Sequence, residues 1–159
     1  MILVFGQSGQ VAHELQSFEG IFAVDRSQAD LCNPDQVADI IRDYKPAAVI
    51  NAAAYTAVDK AEKEEALATV INCDAPSRMA EACANLSVPF VHISTDYVFD
   101  GSGNNAWLPH SKTNPPGISG NQLFMATLET STSIETSLIG PIQRSLAKLS
   151  NSSNLTITF

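Results

Sequence analysis

The chain has 159 residues, a net charge of −8, a hydrophobic content of 45% and a charged content of 16%. This length and composition predict one globular domain with a core of its own. The acidic balance leaves no basic patch to neutralise phosphates, which excludes a general nucleic-acid binder and a protein held on anionic membranes.

Four short apolar runs predict strands buried on both faces, at residues 2–5, 21–24, 47–50 and 88–93. A first helix is predicted over about residues 10–18. A second begins at Pro34 after the capping residue Asn33 and ends before Pro46. A long helical pattern covers residues 58–86, where Pro76 kinks the helix or divides it in two. This alternation predicts an α/β fold, a Rossmann-like parallel sheet with flanking helices.

The amino-acid composition changes after Gly101. Residues 101–117 are rich in Gly, Asn, Ser and Pro and predict a surface loop. Residues 118–159 form a Ser/Thr-rich tail with a short helix over 138–149 and a strand or a frayed end over 155–159. We therefore divide the chain into an incomplete, truncated Rossmann-like domain over 1–117 and a divergent tail over 118–159. A four-stranded half sheet predicts homo-oligomerisation, aggregation or marginal stability unless the tail covers its edge and faces.

The cysteines and histidines carry no sign of a metal site or of a catalytic role. Cys32, Cys73 and Cys83 have no CxxC or His/Cys spacing, which favours reduced structural thiols in a cytosol. Exposed positions are predicted for His13 and His110, whereas His92 falls within a strand. The chain starts MILVFG, without a basic segment or a long apolar one. These features predict a soluble, cytoplasmic protein.

A glycine-rich turn follows the first predicted strand. Gly6, Gly9 and Ala12 form a GxxGxxA pattern, which lets a backbone approach a pyrophosphate and a helix pack on the strand. Asp25 follows about 20 residues on, at the end of the second strand, where an acid suits a ribose 2′-hydroxyl. Arg26 suits a 2′-phosphate, which favours NADP, or the use of both NADP and NAD. The alternatives are a structural turn and a surface ion pair.

Two further strand ends carry small or polar residues. The third strand ends in Asn51, Ala52, Ala53 and Ala54, which either pass beside a nicotinamide ribose or form an alanine-lined packing surface. The fourth ends in the sequence VHISTDYVFDG over residues 91–101. Because carboxyl ends of parallel strands face the ligand crevice, this stretch is predicted to lie where the chemistry occurs.

Taken together, GQSGQVAHEL, DRSQADL, INAAAYTAVDKAE and HISTDYVFDG resemble the dTDP-4-dehydrorhamnose reductases, a family of the extended short-chain dehydrogenase/reductase class. The resemblance covers residues 1–117 and concerns the N-terminal part of that family. It implies an oxidoreductase of dTDP-L-rhamnose biosynthesis that reduces the 4-keto group of a dTDP-4-keto-6-deoxy sugar. The implied cofactor is NADPH, with NADH as the alternative, and the implied partner is the dTDP-sugar substrate.

The resemblance also implies roles for individual residues. The pyrophosphate turn would be Gly6, Gly9, Gln10 and Val11, the adenosine-ribose end Asp25 and Arg26, and the adenine flank Asp30 and Leu31. The nicotinamide ribose would lie beside Ala53, Ala54 and Tyr55. The catalytic hydroxyl on the reacting carbonyl would be Thr95, with Asp96 and Tyr97 beside the substrate.

The chain departs from the family after the loop. There the family carries a tyrosine and, four residues later, a lysine, which together protonate the developing alkoxide. Ser119 and Leu123 stand in those positions. Loss of a general acid costs about 10²–10⁴-fold in rate, so the sequence predicts a chain with impaired or absent turnover.

Three hypotheses follow from this departure. The first is a reductase-type chain that binds NADPH with little or no turnover. The second is a non-catalytic NADP-binding or regulatory protein, as in the similar regulatory subunit of methionine adenosyltransferase. The third is that the sequence from about Ile118 onward arises from a frameshift or an altered splice.

Overall fold

The fold is an open sheet flanked by helices, as seen in a computed structural model that describes residues 1–95, 99–102, 112, 114 and 155–158. The strands stand in the order β2-β1-β3-β4-β5. Their bounds are β1 Ile2–Phe5, β2 Ile21–Val24, β3 Ala48–Asn51, β4 Phe90–Thr95 and β5 Leu155–Thr158. The first four strands are parallel, as the alternation of strands and helices predicted.

The central strands are apolar because both of their faces are covered. Leu3, Phe5 and Val49 belong to one core cluster, whereas Val4 and Ile50 belong to the other. Successive side chains of a strand point to opposite faces, so these clusters lie on the two sides of the sheet. Burial of each such side chain stabilises the fold by about 1.5–3 kcal/mol.

The tail contributes the fifth strand, which is the only antiparallel one in the described sheet. Residues 155–158 pair with β4 in the register His92↔Thr158 to Thr95↔Leu155. Of the two alternatives for residues 155–159, the structure therefore has the strand. It covers the β4 edge that a four-stranded half sheet would expose, which removes one ground for predicting oligomerisation or aggregation. The helix predicted over 138–149 lies outside the described residues.

The first helix, α1, is shorter than predicted, since it covers Gln10–Leu15 instead of ending near Phe18. The backbone N–H groups of Ser17 and Phe18 donate to the carbonyls of Glu14 and Leu15, which closes the helix in tight turns. Phe18 is 42% exposed, so no apolar contact extends the helix further.

The second helix, α2 at Pro34–Tyr44, confirms its predicted start and end. The Asn33 side chain accepts a hydrogen bond from the backbone N–H of Gln36 at 3.3 Å, and Pro34 occupies the first turn. A cap of this kind stabilises a helix by about 1 kcal/mol. Lys45 ends the helix in the left-handed conformation at φ 46°.

The helical region predicted over residues 58–86 is present, with a π-helical turn just before Pro76 and a further break after Ala61 that was not predicted. The region comprises α3 at Val58–Ala61, α4 at Glu65–Thr69, a π-helical turn at Val70–Asp74 and α5 at Ala75–Leu86. Pro76 lies in the first turn of α5. Because it has no N–H to donate to a preceding carbonyl, the wider π turn replaces regular α geometry just before it.

The two long helices pack together on one side of the sheet. Val37 and Ile41 of α2 share a core cluster with Met79 and Cys83 of α5. On their exposed side, Arg78 Nη2 lies 2.6 Å from the Asp35 carboxylate, which joins the two helices. None of the helices that the structure describes has the length and apolar character that a bilayer-spanning segment requires.

Candidate cofactor-binding site

A cleft of about 980 Å³ opens where the parallel strands end. It contains the residues that follow β1, β2 and β3, together with Ile71 of the π turn and Ile93 of β4. Every residue that the sequence assigned to the cofactor lines this cleft: Gly6, Gly9, Gln10, Val11, Asp25, Arg26, Asp30, Leu31, Ala53, Ala54 and Tyr55. The fold thus brings together segments that are far apart in the chain.

The glycine turn between β1 and α1 needs its first glycine for two reasons. Gly6 has a φ of +100°, which side chains rarely adopt. A Cβ atom there would lie 3.2 Å from the backbone carbon and oxygen of Ala52. Gly9 is the N-cap residue of α1 and has no side chain to cap the helix. At its two glycines this turn therefore has no side chain between the backbone and the cleft, which is what close approach of a diphosphate requires.

The carboxylate that follows β2 is fixed by its own turn. Asp25 Oδ1 accepts hydrogen bonds from the Ser27 hydroxyl at 2.6 Å, the Ser27 amide at 2.8 Å and the Gln28 amide at 3.1 Å. The bond from the Ser27 hydroxyl is the main cause that lowers the pKa of Asp25. An ionised carboxylate at this position can accept a hydrogen bond from a ribose hydroxyl.

Beside Asp25, an arginine and a second carboxylate form an ion pair. Arg26 Nε lies 3.4 Å from Asp30 Oδ1, so a surface ion pair is present, with Asp30 and not the adjacent Asp25 as the partner of Arg26. Both residues also line the cleft, so the ion pair and the cofactor interpretation apply to the same side chains.

The segment after β3 is held from two sides. Asn51 Oδ1 accepts a hydrogen bond from the Ala53 amide at 3.1 Å. The buried Asn72 side chain accepts from the Tyr55 amide at 2.7 Å and donates to the Tyr55 carbonyl at 3.1 Å. Asn72 lies in the π turn, which directs its side chain toward the segment that lines the cleft. Its role needs a contact between distant residues, so no local sequence signal could have revealed it.

The Tyr55 phenol contacts Glu64, the residue just before α4. Its hydroxyl donates to a Glu64 carboxylate oxygen at 2.6 Å, and this bond raises the pKa of Tyr55. The phenol is therefore kept protonated. Tyr55 is fixed at both its backbone and its side chain, which gives this wall of the cleft a defined shape.

A buried asparagine–histidine pair lies behind the same segment. Asn51 Nδ2 and His92 Nδ1 are 3.1 Å apart. Since Asn51 Oδ1 accepts from Ala53, its amide nitrogen must be the donor to His92, which places the imidazole proton on Nε2. Nε2 has no hydrogen-bond partner in the described part of the chain. Burial lowers the pKa of His92 to about 4, so the ring is neutral at neutral pH.

The predicted substrate residues are placed only in part. Thr95 is the last residue of β4, and nearby Ile93 lines the cleft. Asp96 and Tyr97 lie outside the described residues, as do Ser119 and Leu123. Among the residues that the structure describes, no group of three or more His, Cys, Asp or Glu side chains could hold a metal ion.

Some lining residues were given no role from the sequence: Gln7, Ser8, Ala29, Thr56 and Ile71. Ala52 and Ile93 also line the cleft and belong to the two strand-end stretches that the sequence singled out. Gln7 and Ser8 stand between the two glycines and could have been inferred from the turn itself. Ile71 lies in the π turn, and only the packing of that turn over the sheet brings it to the cleft.

A protein-family comparison accounts for this arrangement. The family model for the RmlD substrate binding domain matches residues 1–136. That match extends beyond residue 117, which is the last residue of the resemblance inferred from the sequence.

Curated relatives carry one name. The dTDP-4-dehydrorhamnose reductase of Escherichia coli K12 is 40% identical over 127 residues, which is 75% of this chain and 42% of that protein. The enzyme of the same name from Burkholderia thailandensis is 40% identical over 131 residues, which is 80% of this chain and 44% of that protein.

Solved structures agree with the sequence relatives. The dTDP-4-dehydrorhamnose reductase of Clostridium acetobutylicum superposes with a TM-score of 0.77 at 34% identity and covers 81% of this chain and 48% of that chain. The enzyme from Bacillus anthracis, solved in complex with NADP, gives 0.76 at 31% identity with the same two coverages. This chain thus spans less than half the length of these relatives. The chain belongs to the RmlD substrate binding domain family, in the part that it shares with dTDP-4-dehydrorhamnose reductases.

Proposed function

We propose that this chain binds NADPH in the cleft at the ends of β1, β2 and β3, with NADH as a second cofactor. The observation that supports this most is the convergence of the predicted cofactor residues on one cavity. In this arrangement the glycine turn receives the diphosphate, the Asp25–Leu31 side receives the adenosine, and the wall formed by Ala53 and Tyr55 receives the nicotinamide ribose.

The reaction proposed for this lineage is reduction of the 4-keto group of a dTDP-4-keto-6-deoxy sugar. The cofactor supplies a hydride to the keto carbon, and the oxygen of the carbonyl gains a proton. Thr95 would donate a hydrogen bond to that oxygen, with Asp96 and Tyr97 beside the sugar. Hydrogen bonds to the developing alkoxide lower the barrier for hydride transfer.

We propose further that this chain turns over slowly or not at all. The proton has no evident donor, because Ser119 and Leu123 occupy the positions of the family's tyrosine and lysine. Serine is a far weaker acid than tyrosine, and leucine carries no charge to lower the pKa of a neighbour.

The same two residues favour a second candidate, a non-catalytic or regulatory protein that retains the cofactor cleft. The two candidates differ in whether cofactor binding serves a reaction or an association with another protein. Co-purification of a partner whose binding depends on NADPH would select the second. The frameshift or splice hypothesis remains a prediction, tested by translating the other two frames of the gene for a tyrosine-x-x-x-lysine segment.

We also infer a cytoplasmic location, because the free thiols of Cys32 and Cys83 favour a reducing compartment. We do not expect nucleic acid among its partners, because its net charge is −8. Self-association stays a prediction, since β2 is the other edge of the described sheet.

Titration of the purified chain with NADPH tests the cofactor proposal, with nicotinamide fluorescence as the signal. We expect saturable binding, weakened about tenfold by Arg26→Ala because a charge-assisted bond to phosphate is lost. Arg42→Ala is the matched control, since Arg42 pairs with Asp39 on the exposed side of α2 and does not line the cleft. Absence of binding, or equal weakening by both variants, contradicts the proposed site.

Turnover is tested separately with the dTDP-4-keto-6-deoxy sugar and NADPH. We expect no oxidation of the cofactor above the rate without sugar. Stoichiometric reduction of the sugar would show that the chain supplies a proton donor of its own, and would contradict the proposed impairment while leaving the cofactor site intact.

A further inference from the structure

We propose that Asp30 restrains Arg26 and thereby sets how strongly the cleft favours NADPH over NADH. This inference rests on the proposed cofactor function. It goes beyond it by assigning the discrimination between the two cofactors to an ion pair inside the cleft, rather than to Arg26 alone.

The Arg26 side chain is held at two points on the segment that precedes α2. Its Nε lies 3.4 Å from Asp30 Oδ1, and its Nη2 lies 3.6 Å from Cys32 Sγ. Asp30 Oδ1 also accepts a hydrogen bond from the Cys32 amide at 3.0 Å, so the carboxylate that holds Arg26 is itself fixed by the backbone. The Arg26 side chain is 76% exposed, which leaves it free to move toward a ligand once released.

The charges at this end of the cleft do not favour a phosphate. Asp25 and Asp30 both have a lowered pKa, the first mainly through the Ser27 hydroxyl and the second mainly through the Cys32 amide. Two ionised carboxylates therefore line this end of the cleft beside one guanidinium, and one of them, Asp30, is paired with it. A 2′-phosphate carries about 1.5–2 negative charges at neutral pH and must compete with Asp30 for Arg26. A 2′-hydroxyl does not need Arg26, because it can donate to Asp25.

Binding of NADPH therefore requires Arg26 to exchange one anion for another, whereas binding of NADH does not. The net effect is a lower preference for NADPH than Arg26 would give if it were unpaired. Exposed ion pairs of this kind are individually weak, so release of Arg26 is worth about two- to fivefold in affinity. The effect weakens with salt, because charges at the surface are screened.

Asp30→Asn isolates this contribution. An asparagine oxygen at position 30 still accepts the Cys32 amide, so the turn is kept while the charge is removed. We expect the ratio of the NADH dissociation constant to the NADPH dissociation constant to rise about two- to fivefold at low salt, with a smaller rise at about 1 M salt. Any change in the contact of residue 30 with adenine affects both cofactors alike and cancels in this ratio. Asp39→Asn is the matched control, because it removes the same charge from the Arg42 ion pair outside the cleft.

The double variant Arg26→Ala with Asp30→Asn separates restraint from simple repulsion. If Asp30 acts by holding Arg26, its replacement has little effect once Arg26 is absent. An equal gain in NADPH affinity with and without Arg26 would show that Asp30 acts only through its own charge, and would overturn the proposal.

Two other results also overturn it: equal changes in affinity for both cofactors, or the same rise in the ratio from Asp39→Asn. If the unaltered chain binds neither cofactor, the proposed function fails and this inference with it. If it binds both and the ratio is unchanged by Asp30→Asn, only the role of Asp30 is wrong.

Discussion

Replacement of Gly6 by alanine places a methyl group at the point where β1 turns toward α1. Gly6 has a φ of +100°, and a Cβ atom there would lie 3.2 Å from the carbonyl carbon and oxygen of Ala52 and 3.3 Å from Cβ of Ala53. Both neighbours line the cleft, and the close atoms of Ala52 belong to the backbone, which cannot rotate away. The substitution therefore strains the turn and also displaces a wall of the proposed cofactor site.

The expected magnitude has two parts. A side chain in this region of backbone conformation costs about 1–3 kcal/mol. The close contacts with Ala52 and Ala53 add a cost of about 1 kcal/mol or more, typical of overpacking. We expect Gly6→Ala to lower the free energy of unfolding by about 2–4 kcal/mol, a large share of the stability of an ordinary domain.

Gly20→Ala is the matched control because Gly20 has a φ of +81° but no heavy atom within 4 Å of the position that a Cβ atom would take. It therefore carries the backbone cost alone, about 1–2 kcal/mol. Urea unfolding measures both stabilities, and NADPH titration measures both affinities. We expect only Gly6→Ala to weaken NADPH binding. Equal destabilisation by both variants, or wild-type NADPH affinity in Gly6→Ala, would refute the role given to the close approach of Gly6 and Ala52.

Two further predictions concern buried polar side chains. Because burial lowers the pKa of His92 from 6.5 to about 4, the unfolded chain takes up its proton first, and stability is lost as the pH falls from 6.5 to 4. The loss is about 3 kcal/mol. Urea unfolding across this pH range should show it in the wild type but not in His92→Gln. The same dependence of the free energy of unfolding on pH in both proteins would contradict this prediction. Asn72→Ala removes both hydrogen bonds to the Tyr55 backbone and should lower the free energy of unfolding by about 2–3 kcal/mol. Exposed Asn85 gives the control, because Asn85→Ala should change the free energy of unfolding by less than about 0.5 kcal/mol. Similar values for the two variants would count against a stabilising role for the Asn72–Tyr55 hydrogen bonds.

The sequence predicted the parallel sheet because its signals are local. Apolar runs such as residues 2–5 are long enough to be buried strands, and Asn33 followed by Pro34 marks a helix start without reference to any other part of the chain. The same holds for the residues proposed to bind the cofactor. They lie at strand ends or in the turns that follow them, and parallel strands bring all such ends to one edge.

What the sequence did not predict depends on contacts between distant residues. Composition made residues 58–86 a helical region, but the π turn that aims Asn72 at Tyr55 depends on how that region packs over the sheet. Likewise, nothing local in residues 155–158 indicates that they pair antiparallel with β4. The Asn51–His92 bond is equally long-range, and their burial becomes evident only from the order of the strands.

Arg26 illustrates how alternatives can both hold. Sequence reasoning opposed a cofactor contact to a surface ion pair with a neighbouring acid. The structure has the ion pair to Asp30 and places the same arginine on the cleft. The choice between the two could not be made from residue types, because the two roles share one side chain.

NADPH is proposed to bind in the cleft at the ends of β1, β2 and β3. Amide-resolved NMR of the labelled chain during an NADPH titration locates the bound cofactor residue by residue. We predict chemical-shift changes that concentrate in residues 6–11, 25–31 and 52–56, with little change in α2 and α5 away from the cleft. Saturating NADPH that leaves these three segments unchanged, or that shifts the resonances of a different surface, would contradict the proposed site.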